Sequence, residues 1–426
     1  MSGKDLFNRR KELLGAAYRL FYDEPIHLVR GEGVWLYDVD GRKYLDMYNN
    51  VPHVGHCHPQ VVAAICEQAG KLNTHTRYLH ENVLDYAERL TGKFAAPLDT
   101  AMFCCTGSEA NELALRIARA ATGGEGLIVT DFAYHGNTKA IYEISSEDCP
   151  PEKRPPYVVT VPNPDCYRGL YTDADAGEHY AAHVSDAIAT LLERDIKPAA
   201  FVIDTIISSG GIVQPAPGYL AKTAELIRAA GGLFIADEVQ PGFGRTGDNF
   251  WGFEADGLVP DIVTMGKPMG NGHPIAAMVT SRALVDEFSR SAGYFNTFGG
   301  NPVSCAAALA VLDVIEGENL QQNAAEVGQH MLAGLKSLAD THELIGDVRG
   351  NGLFAAVEFV NDRVERSPAT EITARVVNEL RNRGVLTGSI GPDNNILKLR
   401  PPMVVRKDEV DLMLEKLDDS LHAVTA

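Results

Sequence analysis

The sequence predicts an α/β fold: a large domain built on a mostly parallel sheet flanked by helices, joined to a smaller α+β domain. Two observations carry this. Through the middle of the chain, short apolar runs alternate with helical patterns. AMFCC (101–105), GLIVT (126–130), AAFVID (199–204), GLFIAD (232–237), DIVTM (261–265) and AAMVT (276–280) each read as a buried strand. Several are followed by a Gly-rich turn and then a helix, the order of a parallel sheet with helices on both faces. Past Gly317 the texture changes. A helical pattern over 319–340 leads into LIGDVRGNGLFAAVEFV, which alternates like half-exposed strands, then a helix over 369–384 and the strand-like ILKLRPPMVV (396–405).

The individual elements carry their own punctuation. In PGYLAKTAELIRAAGG (217–232), Pro217 precedes the helix, apolar residues recur at helical spacing, and Gly231 supplies the stop. In GVWLYDVDGRKYLDM, Asp40-Gly41 reads as a hairpin turn. This N-terminal hairpin is expected to pack with the smaller domain. The division is then residues 60–316 for the large domain, with 1–59 and 317–426 forming the small one.

Bulk properties bound the function. With 38 basic and 57 acidic residues the chain carries a formal charge of −19. Nucleic acid is a poor partner for such a surface, because phosphate backbones need clustered Lys and Arg; a small anion in a locally positive pocket is still allowed. The opening MSGKDLFNRRKELLGAAYRL has no secretory pattern, and no apolar run approaches the length of a membrane span. Seven scattered cysteines, with no CxxC pair, fit reduced thiols better than a disulfide framework. A cytosolic protein is the expectation.

Four segments carry chemistry, and a fifth adds to them. TGSEAN (106–111) follows a strand and opens a helix: Gly107 allows the sharp turn, and the Ser108 hydroxyl sits beside the first-turn amides. That is an anion site, here for a phosphate ester, or else a plain N-cap with Glu109 and Glu112 complementing the helix dipole. DFAYHGNT (131–138) puts Tyr134 and His135 on a Gly-terminated loop, where an aromatic can stack on a flat ring or simply join the core. IADEVQPGFGRTG (235–247) puts Asp237 at the carboxyl end of an apolar strand. A carboxylate there needs a positive partner, a protonated pyridine nitrogen or an Arg. Val239, two residues on, can press against a ring face, and Glu238 reads as a solvated or helix-capping charge. DIVTMGKPMGNGHP (261–274) then places Lys267 in a tight Gly-rich turn 30 residues after Asp237 (267 − 237), suited to a buried amine that forms a Schiff base. FNTFGGNP (295–302) adds Thr297 and a Gly pair ahead of a helix.

Taken together, these segments in this order resemble the class III (ornithine/ω-amino) aminotransferase family of pyridoxal-phosphate (PLP) fold type I, along nearly the whole chain. The resemblance implies PLP as cofactor, Lys267 as Schiff-base lysine, Asp237 as partner of the pyridine nitrogen, and Gly107 and Ser108 at the cofactor phosphate. It further implies Tyr134 and Val239 against the ring, Gln240 as a cofactor contact, and Thr297 reaching the phosphate held by a neighbouring subunit. A homodimer or tetramer with shared active sites follows.

Within the family, NNVPHVGHCHP (49–59), NTHTRYLHENVLDYAERL (73–90), TMGKPMGNGHP (264–274), YFNTFGGNPVSCA (294–306) and ILKLRPPM (396–403) are most similar to ethanolamine-phosphate and phosphohydroxylysine phospho-lyases. Class III transaminases usually have Ala where this chain has Gly266. They usually carry Arg where it has Lys398, and losing that planar fork weakens the case for an α-carboxylate substrate. The usual Glu at the end of the 199–204 strand is Asp204 here. The expected reaction is β-elimination of phosphate from O-phosphoethanolamine, giving acetaldehyde, ammonia and phosphate. A class III transaminase using an ω-amine or alanine with glyoxylate or pyruvate is the alternative. A nicotinamide dehydrogenase is disfavoured because no GxGxxG follows a strand. A lyase needs a second anion site, for which Tyr18, Asn50, Arg77, Lys398 and Arg400 are candidates beside the reading of ordinary structural contacts. His53, His56 and His58 lack metal-ligand company and read as a substrate-covering loop, and no metal is expected.

Overall fold

The computed structural model describes residues 3–425, and among these the strands form three sheets. Strands β1 (Leu28–Glu32), β2 (Trp35–Asp38) and β3 (Lys43–Asp46) make an antiparallel meander. Gly41, in the β2–β3 turn, has φ +83°, a backbone angle that L side chains rarely adopt.

The central sheet holds β4 (Thr100–Cys104), β5 (Gly126–Thr130), β6 (Val158–Val161), β7 (Pro198–Asp204), β8 (Leu233–Asp237), β9 (Ile262–Met265) and β10 (Ala276–Thr280), in the order β4-β10-β9-β8-β7-β5-β6. Strands β5 to β9 pair in parallel, and β10 runs against both of its neighbours. Every residue of β5 and β7 is buried, as expected of strands covered on both faces. The expected apolar runs match observed strands to within a residue. The short edge strand β6 was absent from that set; its VVTV run is too brief to stand out.

The third sheet holds β11 (Ile345–Asn351), β12 (Phe354–Asp362) and the short β13 (Ser367–Pro368). After β14 (Val385–Leu386) the chain adds β15 (Gly388–Ile390) and β16 (Ile396–Leu399). The strand-like run 396–405 stops at Leu399 because Pro401 and Pro402 offer no N–H to a ladder. Strand β14 leaves this sheet and pairs in parallel with β3, aligning Val385 with Leu45 and Leu386 with Asp46. The N-terminal meander and the C-terminal third are thus stitched through backbone hydrogen bonds. Among the described residues, no helix is long and apolar enough to cross a membrane.

The consequence for function lies at the carboxyl ends of β7, β8 and β9. Asp204 and Asp237 are the last residues of their strands, and Lys267 follows β9 by two. Ligands of open α/β sheets bind beyond such ends.

Candidate active site

A cavity of about 300 Å³ opens at these strand ends. Gly107, Ser108, Tyr134, Asp237, Val239, Gln240 and Lys267, drawn from four separated segments, all line it.

Asp237 is anchored from behind. Its Oδ2 accepts from Asn111 Nδ2 at 3.0 Å and lies 2.8 Å from His135 Nδ1, while its Oδ1 accepts from the Val239 amide at 3.1 Å. Asn111 is fixed in turn: its Nδ2 also donates to the His135 carbonyl, and its Oδ1 accepts from Thr264 Oγ1 at 2.6 Å. Among the described residues no Arg or Lys bonds to Asp237, so the ion-pair alternative from the sequence does not hold. A buried carboxylate that has no Arg or Lys partner, only the His135 ring, and faces a cavity is fitted for a cation that arrives with a ligand. His135 and Asn111 were not assigned roles from sequence, although both lie inside the TGSEAN and YHG strings.

Lys267 is the accessible residue in an otherwise buried run from Ile262 to Gly270. What it faces is the cavity rather than bulk water. Protein packed around it, with the positive Arg400 nearby, lowers its amine pKa from the ordinary value. A lowered pKa favours the neutral amine, the form able to attack a carbonyl or accept a proton.

The helix Gly107–Thr122 begins at the wall of the cavity. Its N-cap is Thr106, whose side chain accepts from the Glu109 amide while Glu109 reaches back to the Thr106 amide. Ser108 therefore has no capping duty. Its Oγ accepts from the Asn137 amide and donates to Asn137 Oδ1. Two glycines keep this corner open: a Cβ on Gly136, at φ +137°, would lie 2.3 Å from Ser108 Oγ, and one on Gly107 would lie 3.1 Å from Val239 Cγ2. First-turn amides, a hydroxyl with no capping duty whose bond to the exposed Asn137 side chain can be exchanged, and backbone kept clear of side chains make a phosphate seat. The half-buried Tyr134 closes one side.

With anion seat, accessible lysine and anchored carboxylate in one cavity, the site fits PLP at its phosphate, its aldehyde carbon and its ring nitrogen. The aminotransferase class-III family model matches residues 21–421. The chain belongs to that family. Class III enzymes of this kind have PLP fold type I, and PLP is the cofactor. A Drosophila melanogaster protein named alanine–glyoxylate aminotransferase 2-like is 42% identical over all of this chain and 88% of its own length. A Caenorhabditis elegans protein named ethanolamine-phosphate phospho-lyase homolog 1 is 38% identical over 99% of this chain and 94% of its own. Among solved structures, an Arthrobacter phospholyase in complex with phosphoethanolamine superposes with a TM-score of 0.95 at 44% identity, covering 98% of this chain and 100% of that one.

This class III site has features that the sequence did not give. Glu238 was expected as a solvated or helix-capping charge. It is fully buried, and its carboxyl accepts from Thr205 Oγ1 and from the amides of Gly252 and Phe253, which begin a short 3-10 helix. It caps, but from within the core, and burial pushes its pKa up to about 8. Asp204 lines the cavity, with Ser208 donating to it through both amide and hydroxyl. Burial and the neighbouring Asp237 push its pKa up to about 6. At Gly266, a Cβ would meet nothing closer than 3.4 Å, so packing does not forbid the usual Ala.

The candidates for a second anion site divide. Lys398 and Arg400 are both buried and meet at one acceptor, Gln240 Oε1, just behind the cavity wall. Arg400 also donates to the Tyr48 carbonyl, and among the described residues no carboxylate bonds to either cation. Burial, with Arg400 and Lys267 nearby, holds Lys398 well below the ordinary lysine range, and burial brings Arg400 down to about 10. Asn50 is wholly buried, with both amide atoms unpaired, and is not part of the cavity wall. Tyr18 and Arg77 do not reach the cavity of their own chain, and neither does Thr297. All three are exposed. Arg77 instead lies 3.9 Å over the Phe295 ring, so its segment and that of Thr297 adjoin on the surface.

The three histidines of the 53–58 loop turn to separate partners. His53 contacts Arg245 and the Phe243 carbonyl, His56 contacts Asp46, and His58 contacts Glu318.

Proposed function

We propose that this chain is a phospho-lyase that eliminates phosphate from O-phosphoethanolamine, releasing acetaldehyde, ammonia and phosphate. The observation that carries the reading is the pair Lys398 and Arg400. Two buried basic groups sharing one neutral acceptor carry their charges only at a cost, which an arriving anion offsets. A substrate phosphate can take the acceptor position that Gln240 Oε1 holds, beside Lys267 and at the edge of the cavity. The likeness to a phospholyase in complex with phosphoethanolamine supports the same reading.

Bound PLP supplies an electron-withdrawing ring that stabilises negative charge at the carbon bearing the substrate nitrogen. Lys267 is the base placed to take the proton from that carbon. As it does so, the bond from the adjacent carbon to the phosphate oxygen breaks, and the phosphate leaves with that electron pair onto Lys398 and Arg400. Water then completes the balance by releasing ammonia and the aldehyde, with no keto acid consumed. Asp237, held by Asn111 and His135, keeps its charge at the ring-nitrogen end throughout.

The active form in this reading is a dimer. Tyr78, Leu79 and Phe298 are respectively 66%, 96% and 70% exposed, an apolar surface that a second copy covers. Arg77 and Thr297, which lie on that surface, then serve the partner's cavity.

A class III transaminase is the second reading, favoured by relatives of similar identity that carry aminotransferase names. The deciding experiment is phosphate release from O-phosphoethanolamine by the PLP-loaded protein without keto acid. Release with acetaldehyde, abolished by Lys267→Ala, supports the lyase. Amino transfer to pyruvate or glyoxylate, with no phosphate released, overturns it.

A further inference from the structure

We propose that His342, Asp418 and His422 form a binding site for a divalent transition-metal ion of the zinc type, separate from the cavity around Lys267. Asp418 and His422 lie one turn apart on the helix Lys407–Thr425 and so share a face. His342 follows the last residue of the helix Leu320–Thr341. Asp418 Oδ1 is 2.5 Å from His342 Nε2 and 3.4 Å from His422 Nδ1, and one donor atom from each residue lies within 4.8 Å of the others. Donors around a tetrahedral zinc ion stand about 3.4 Å apart, given metal–ligand bonds of about 2.0–2.1 Å. The trio thus needs only a small adjustment around an ion.

The parts differ in mobility as a metal site requires. His342 is buried and fixed: its amide donates to the Leu338 carbonyl, and its carbonyl accepts from Arg363 at 2.9 Å. His422 is 72% exposed, and its Nδ1 lies 3.0 Å from the Asp418 carbonyl, an exposed contact that it would give up to turn onto an ion, leaving a coordination position for water. Two imidazoles and a carboxylate form a donor set that suits zinc better than magnesium or calcium, which prefer all-oxygen shells.

An ordinary ion pair does not account for the arrangement. The same two helices carry one at His330 and Asp411, 2.6 Å apart, with no second imidazole. At Asp418 a second ring is brought edge-on to the first, with centroids 4.8 Å apart. Among the described residues this is the one such trio of candidate ligands. The bound ion would clasp the last turns of the C-terminal helix to the end of Leu320–Thr341, stabilising the fold rather than taking part in the reaction.

The test uses the PLP-loaded protein, stripped with a chelator and titrated with zinc chloride. Bound equivalents and melting temperature are both read. The proposal expects one tight equivalent per chain and a raised melting temperature, since an ion that binds only the folded state stabilises it. His330→Ala keeps both. His422→Ala, a change at an exposed side chain, binds at least tenfold more weakly and loses the melting shift, with phosphate release unchanged. No tight equivalent in the parent protein, or one retained in His422→Ala, overturns the proposal.

Discussion

Asp204 and Asp237 stand directly opposite each other at the carboxyl ends of neighbouring parallel strands, the last register pair of the β7–β8 ladder. Side chains paired in this way share a face of the sheet, so two carboxylates enter one cavity. Asn111 and His135 bind the second, and the first is left to titrate, at about 6.

Asp204→Asn should therefore change the pH dependence of substrate capture. Above about pH 6 the parental carboxylate is charged and repels the substrate phosphate, whereas below it the charge is gone. The variant should show a KM for phosphoethanolamine lowered by about 3- to 10-fold above pH 6, the scale of one like-charge interaction in a partly screened site. The two proteins should converge below pH 6. A KM-against-pH profile from 5 to 8 checks this; parallel profiles count against it.

Loosening Asp237 should weaken cofactor retention before it damages the fold. Asn111→Ala removes a buried hydrogen bond to that carboxylate, a loss of about 1–3 kcal/mol, or roughly 5- to 150-fold in PLP affinity. Equilibrium dialysis against PLP, followed by absorbance of the bound cofactor, measures it.

Gly136→Ala should close the phosphate seat. Its Cβ would fall 2.3 Å from Ser108 Oγ, and its φ of +137° disfavours any side chain. PLP affinity should drop by tenfold or more, while circular dichroism of the apoprotein stays close to the parent's. Unchanged PLP binding would show that the loop yields at little cost.

Lys398→Met should stabilise the protein while weakening its grip on phosphate. The folded state holds the lysine pKa well below 10.5, so on acidification the unfolded chain takes up the proton first. The parent therefore loses stability as pH falls from about 10.5 toward the depressed pKa, and the loss is complete below it. The variant's melting advantage should grow over that same descent and then level off. Inhibition by inorganic phosphate should weaken in parallel.

The residues that could be recognised from sequence sit at sharp changes of pattern. Lys267, Asp237, Gly107 and Ser108 each end an apolar run or open a helix, and a strand's carboxyl end is where the fold places ligands. What the sequence could not carry are partnerships across distance. Glu238 looks like any charged residue after a strand until Thr205, Gly252 and Phe253 enclose it. His342 and Asp418 are 76 residues apart, so no local spacing announces them. Arg77 and Thr297 face outward in the single chain, where a pattern of residues gives no direction. The strand at 396–405 was expected too long, because its apolar character continues past the prolines that end the ladder.

The parallel pairing of β14 with β3 has a consequence for how the molecule comes into being. Leu45 finds its ladder partner at Val385, 340 residues later (385 − 45). Closing so long a loop is slow, and during synthesis it must wait until the second strand has emerged. Through that interval one edge of β3 lacks its strand partner, and it still does after the central sheet has gained its last strand at Thr280. The growing chain thus carries an open backbone edge, a template for mispairing with other chains, for most of its translation. Lys43, exposed at the start of β3, is the kind of charged residue that discourages such pairing.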